Sequence, residues 1–148
     1  MLTYCVALWG SSFKNVLWVA QVLQNDAIRA IKGLPRKASV STWYSKFKIL
    51  KIDGVTTHRQ GALAFKVFNE IIPPDGPFDF TTRPARSQRL KGKFRVPRVK
   101  LTLTTHSLYY RLPTVWNDLP DTLKSSVTIG GFKTKFTELL LQELRSQD

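Results

Sequence analysis

Nine fixed cations, Arg83, Arg86, Arg89, Lys91, Lys93, Arg95, Arg98, Lys100 and Arg111, fall within residues 81–114, and no acidic side chain occurs between Asp79 and Asp118. Without neighbouring carboxylates to neutralise them, such closely spaced charges suit repeated ionic contact with a polyanion, a nucleic-acid backbone first and an anionic membrane surface second. Phe94 and the Tyr109–Tyr110 pair lie in the same stretch and offer flat faces for base stacking. No helix with base-reading side chains stands out, so the expected contact is with phosphates and carries no sequence preference.

The residues of catalysis do not assemble in the same way. There is no Gly-x-Gly-x-x-Gly and no Walker loop, and Gly130–Gly131 reads as a turn at a helix start. The ten carboxylates are dispersed, with no Asp–Asp pair to hold magnesium for phosphoryl or nucleotidyl transfer. His58 and His106 are far apart, lack a nucleophile partner and read as surface or helix-end residues. The single cysteine, Cys5, cannot close an internal disulfide, and with two histidines it falls short of a structural zinc site. No catalytic residue, metal ligand or cofactor is therefore assigned, and the chain by itself is not expected to be an enzyme.

The elements that must position the cations are mostly helical. The chain has 148 residues and a formal net charge of +13, and its 43% hydrophobic content, with nine Phe and four Trp, is sufficient to close a core. Phe13, Val16, Leu17, Ala20, Leu23, Ala27, Ile28 and Ile31 draw an apolar stripe along a first helix, capped by Ser11 or Ser12 and ended by Gly33 and Pro35. Trp43, Tyr44, Phe47 and Leu50 predict a short second helix with Lys46 and Lys48 outward, Asp53–Gly54 a turn, and residues 55–72 a third helix stopped by Pro73–Pro74. Alternation of Val99, Leu101 and Leu103 with polar residues predicts a short strand, paired with residues 94–96 or lying extended against the helices. Ser107 caps a helix that Pro113 breaks or kinks; a brief helical turn follows Pro120, and Thr128 or Gly130 opens the last helix. The expected fold is mainly α: a small helical bundle with a basic loop and a short extended or hairpin segment in the middle. Its regions are 1–72, about three helices; 73–106, the basic Pro- and Gly-containing segment; and 107–148, which closes the single domain. The apolar region Val16–Leu23 is too short and too interrupted to span a bilayer, and the amino terminus makes a poor signal peptide. An intracellular protein, nuclear or cytoplasmic, with no membrane partner is expected.

Residues 110–120, Tyr110-Arg111-Leu112-Pro113-Thr114-Val115-Trp116-Asn117-Asp118-Leu119-Pro120, followed by Gly131-Phe132-Lys133-Thr134-Lys135-Phe136, resemble the end of the reverse transcriptase of non-LTR, LINE-like retrotransposons. Upstream landmarks keep the same order: Tyr4, Trp9–Gly10, Gln24–Asn25, Ile28-Arg29-Ala30-Ile31, Ile49–Leu50, Phe65–Lys66, Pro73–Pro74 and Thr82–Arg83. The resemblance implies a thumb and post-thumb region, a helical basic module that holds RNA or DNA beside the remainder of an RNA-directed DNA polymerase. The aromatic-x-Asp-Asp palm motif is absent, so no catalytic residue carries over and polymerase activity would belong to the parent. The nucleic-acid-binding residues expected are Arg83, Arg86, Arg89, Lys91, Lys93, Arg95, Arg98 and Lys100. Trp116, Asn117, Leu119, Pro120, Phe132 and Phe136 are expected as structural anchors: Trp116 as a large apolar body, and Asn117 or Asp118 in an Asx-type turn. The alternative is a protein-interaction or self-associating helical module with no nucleic-acid role, exposing Trp9, Phe13 and Trp18.

Overall fold

Stretches of apolar residues at three- and four-residue spacing become helices wherever a partner face is in reach. The computed structural model describes the backbone of residues 14–72 and 93–146, with side chains from Leu17 onward except that of Leu103. Six α-helices lie within these spans: α1 Lys14–Lys32, α2 Ser41–Phe47, α3 Ile52–Phe68, α4 Leu108–Asp118, α5 Asp121–Lys124 and α6 Ile129–Ser146. A 3₁₀ helix, Thr102–His106, precedes α4. No described helix is long and apolar enough to cross a membrane.

The core forms where α3, α4 and α6 meet. Trp116 is fully buried on α4, and its ring centroid lies 4.8 Å from Phe68, 6.0 Å from Phe94, 6.3 Å from Phe132 and 6.4 Å from Phe65. Tilted and edge-on aromatic pairs of this kind each add roughly 0.5–1.5 kcal/mol beyond the burial of their area. Phe136 extends the cluster from Phe132 at 5.5 Å and presses against α3 at Gly61. A methyl group at Gly61 would run into the edge of the Phe136 ring, so glycine here sets how closely α3 and α6 approach. Of the residues expected as anchors, Trp116, Leu119, Phe132 and Phe136 are buried, whereas Pro120 is exposed and serves as the extended residue that starts α5.

Helix boundaries follow local chemistry. Gly33, at φ 62°, ends α1, and the Leu34 N–H closes back on the Arg29 carbonyl at 2.9 Å. The hydroxyl of Ser107 accepts from the Tyr110 N–H at the start of α4, and that of Thr128 accepts from the Gly131 N–H at the start of α6. The proposed caps Ser11 and Ser12, together with Trp9, Phe13, Cys5 and Pro73–Pro74, lie outside the described residues.

Several expectations need correction. Asp53–Gly54 is not a turn but the first turn of α3, where the Asp53 carboxylate favours the positive end of the helix dipole. That helix ends at Phe68, before the prolines: Asn69 bonds the Phe65 carbonyl through both its backbone and its side chain, and Glu70 turns into the left-handed region at φ 55°. Pro113 does not break α4. It is buried between Leu112 and Trp116, whose packing holds both halves on the core although the ring cannot donate to the carbonyl of residue 109. The alternation at 99–103 makes no strand; Thr105 and Ser107 hydroxyls capture the carbonyls of Thr102 and Thr104 at 2.6 and 2.7 Å, winding the chain into the 3₁₀ helix instead. Residues 95–99 have no regular secondary structure and Lys100 and Leu101 form a bend, so no regular strand forms here among the described residues.

The orientation of α1 is also unexpected. Its inner face carries Ala20 and Ile28 beside Gln21 and Gln24, while Leu23, Ala27 and Ile31 of the anticipated stripe face solvent. Gln21 accepts from the Ile52 N–H at 3.0 Å and donates to the Tyr44 hydroxyl at 2.6 Å; Gln24 donates to the Leu50 carbonyl at 2.9 Å. Tyr44, Ile28, Val40 and Leu144 close a second, smaller apolar cluster under α1 and α2.

Candidate nucleic-acid interface

Residues 93–100 form an arm whose inward and outward sides are chemically distinct. Phe94 is buried at 2% exposure, Val96, Pro97 and Val99 are half-buried, and Arg95, Arg98 and Lys100 are exposed. The arm is held by Asn117: its Nδ2 donates to the Phe94 carbonyl and its Oδ1 accepts from the Phe94 N–H, both at 2.9 Å. One carboxamide thereby satisfies both main-chain polar groups of a residue 23 positions away, as a neighbouring strand would. This replaces the Asx-type turn expected of Asn117. The Phe94 ring enters the Trp116 cluster, so its faces serve the core and are not free to stack on bases.

Among the described residues the ion pairs are Arg29–Asp26 and Lys124–Asp121, and neither involves an arm cation. Lys93, at the start of the arm, is half-buried and close enough to Lys124 to act on its charge. Burial pushes the Lys124 ammonium pKa down, Asp121 pulls it up, and Lys93 pushes it down again. Lys124 donates to the Asn117 carbonyl at 3.3 Å and lies 5.9 Å from the Trp116 ring, so the clamp, the aromatic core and a second cation meet at one end of the arm. Lys124 belongs to this positive region although spacing did not mark it, because its placement depends on the α4–α5 corner. Arg111 is half-buried on α4, and Tyr109 is 44% exposed. Arg83, Arg86, Arg89 and Lys91 lie outside the described residues.

His58, expected at the surface or a helix end, is a half-buried residue in the middle of α3. Its Nε2 lies 3.2 Å from both the Lys133 carbonyl and the Thr137 hydroxyl of α6, and its ring stacks on Phe136 at 5.5 Å. Burial holds its pKa below the ordinary histidine value. Nε2 thus sits between the Lys133 carbonyl and the Thr137 hydroxyl, which itself donates to that carbonyl at 2.9 Å, and the arrangement fastens α3 to α6. No group of three His, Cys, Asp or Glu side chains suited to a metal ion occurs among the described residues.

The described residues define a mainly helical domain that presents a cationic arm. Comparison with protein-family models, with curated proteins and with solved structures finds no match for this chain.

Proposed function

We propose that this chain is a non-catalytic, carboxy-terminal piece of a non-LTR retrotransposon reverse transcriptase, and that its basic arm contacts the phosphate backbone of RNA or DNA. The observation that carries this reading is the row Arg95, Arg98 and Lys100, exposed, without carboxylate partners among the described residues, on a main chain held by the Asn117 clamp. A main chain already held at Phe94 has less backbone freedom to lose when its cations meet a polyanion, and counterion release then drives association. If four to six cations of residues 81–114 neutralise phosphates, the log–log salt slope on duplex DNA is about −4 to −5. The quadruple variant Lys93→Gln, Arg95→Gln, Arg98→Gln, Lys100→Gln lowers that slope by about 3 to 4 and weakens binding evenly across sequences. A salt-independent affinity, or loss confined to one sequence, refutes backbone contact by the arm.

A second reading, self-association, is favoured by the outer face of α1, where Trp18, Val19, Leu23 and Ile31 are 67%, 54%, 56% and 72% exposed. Light scattering separates the two. Association that persists in high salt and is abolished by Leu23→Glu with Ile31→Glu supports it; a monomer across the range excludes it.

A further inference from the structure

A second cation-rich surface lies on α1 and α2, remote in sequence from the arm. Between Asp26 and Asp53 the chain has seven basic residues and no acid. Of these, Lys32, Arg36, Lys37, Lys46 and Lys48 are exposed, and none of the five makes an ion pair among the described residues. Two of them converge on one indole: Lys32 Nζ and Lys46 Nζ each lie 4.6 Å from the Trp43 ring centroid. Lys32 also lies 4.9 Å from the Phe47 ring, which sits 5.7 Å from Trp43. Trp43 is half-buried, with its base in the small cluster built on Tyr44 and Ile28.

An aromatic ring anchored at its base and flanked by exposed ammonium groups is a platform that a flat ligand can take over. An exposed cation–π contact is worth about two- to five-fold in an equilibrium constant, whereas stacking a nucleobase on an aromatic side chain is worth about five- to a hundred-fold in affinity. The base therefore displaces a lysine from the ring. The displaced ammonium stays on its tether within reach of the adjoining phosphate, so the exchange loses one weak contact and gains a stack and an ion pair. Duplex DNA keeps its bases in the helical stack, so a single strand is the form that supplies a free base face.

We propose that Trp43, flanked by Lys32 and Lys46, is a stacking site for single-stranded nucleic acid, separate from the backbone-binding arm. The chain has three other tryptophans, Trp116 fully buried, Trp18 exposed on α1 and Trp9 outside the described residues, so the Trp43 signal is the difference between wild type and Trp43→Leu. The test is a fluorescence titration of the full-length chain with a ten-nucleotide oligothymidylate, repeated with the sulfated polysaccharide heparin and with polyglutamate as anionic controls. The oligonucleotide quenches emission, and Trp43→Leu removes that quench and weakens oligothymidylate binding by about five-fold or more while leaving heparin affinity unchanged. Lys32→Gln with Lys46→Gln keeps the quench and lowers the salt slope by about 1 to 2. The arm quadruple variant keeps the Trp43 quench at raised protein concentration, so failure of the arm and failure of the platform give different results. Circular dichroism and a Trp43→Phe variant, which keeps a ring and restores most of the affinity, exclude loss of folding as the cause. Equal quenching by heparin or polyglutamate, or wild-type oligothymidylate affinity in Trp43→Leu, overturns the proposal and leaves a plain polyanion surface.

Discussion

Replacing Asn117 with Ala probes the link between the core and the arm. The substitution removes two hydrogen bonds of 2.9 Å between the carboxamide and the Phe94 main chain, at a half-buried site. At roughly 0.5–1.5 kcal/mol for each bond, the expected loss is about 1–3 kcal/mol. For a domain of this size that lowers Tm by roughly 2–4 °C per kcal/mol. Urea denaturation gives the free energy, and amide hydrogen exchange across residues 93–100 shows where it is lost: the amide of Phe94 should lose protection well before those of Leu112 and Trp116. Asn117→Asp provides the sharper contrast, since it keeps an acceptor for the Phe94 N–H but sets a carboxylate against the Phe94 carbonyl. It should be at least as damaging as Ala at neutral pH and recover as the carboxylate is protonated. Stability of Asn117→Ala within 0.5 kcal/mol of wild type, with Phe94 exchange unchanged, would refute the clamp. Nucleic-acid affinity is expected to fall in Asn117→Ala although no charge is removed, because the main chain that carries the cations loses its hold at Phe94.

Other expectations follow from single residues. Gly61→Ala forces the Phe136 ring to move against Phe132 and His58 and should cost about 1–3 kcal/mol in chemical denaturation, while an added Phe136→Leu recovers part of the loss. Gly33→Ala meets no atom but places a Cβ on a backbone at φ 62°, so a destabilisation of about 1 kcal/mol should appear without any change in core packing. Because burial holds the His58 pKa below its unfolded value near 6.5, the unfolded chain binds the proton first as pH falls. Stability contributed by neutral His58 is therefore complete above about pH 6.5, declines below it and levels off under the folded pKa; the difference in Tm between wild type and His58→Gln should diminish across that window.

Much of the helical frame was legible because it depends on neighbours in sequence. The spacing of Phe132, Phe136 and Leu144, the stop at Gly33 and the cap at Ser107 act over one or two turns and were found where expected. The clustering of the arm cations is likewise a property of the linear chain. What escaped depends on distant contacts. Nothing near Asn117 specifies that its carboxamide serves Phe94, and nothing around Lys124 indicates that the α4–α5 corner brings it to Trp116 and Lys93. Pro113 was read from its local cost, yet the burial of Leu112 and Trp116 on either side outweighs that cost. In α1 the hydrophobic stripe pointed to one face, while hydrogen bonds from Gln21 and Gln24 to α2, Leu50 and α3 selected another.

That choice of face gives the molecule unequal halves. The described part of α1 supplies no residue to the aromatic cluster around Trp116; it is fastened through glutamine side chains and a four-residue apolar patch. Hydrogen bonds of this kind exchange readily with water, and among the described residues the apolar cluster behind them is smaller than the one around Trp116. Among the described residues the larger core lies in 52–68 and 94–146, so α1 is expected to open as a unit below the free energy of global unfolding, and amide hydrogen exchange should show its amides losing protection before those of Leu112 and Trp116. Such partial opening would uncover Tyr44 and Ile28, so the segment that leaves most easily also governs access to the apolar floor beneath α2.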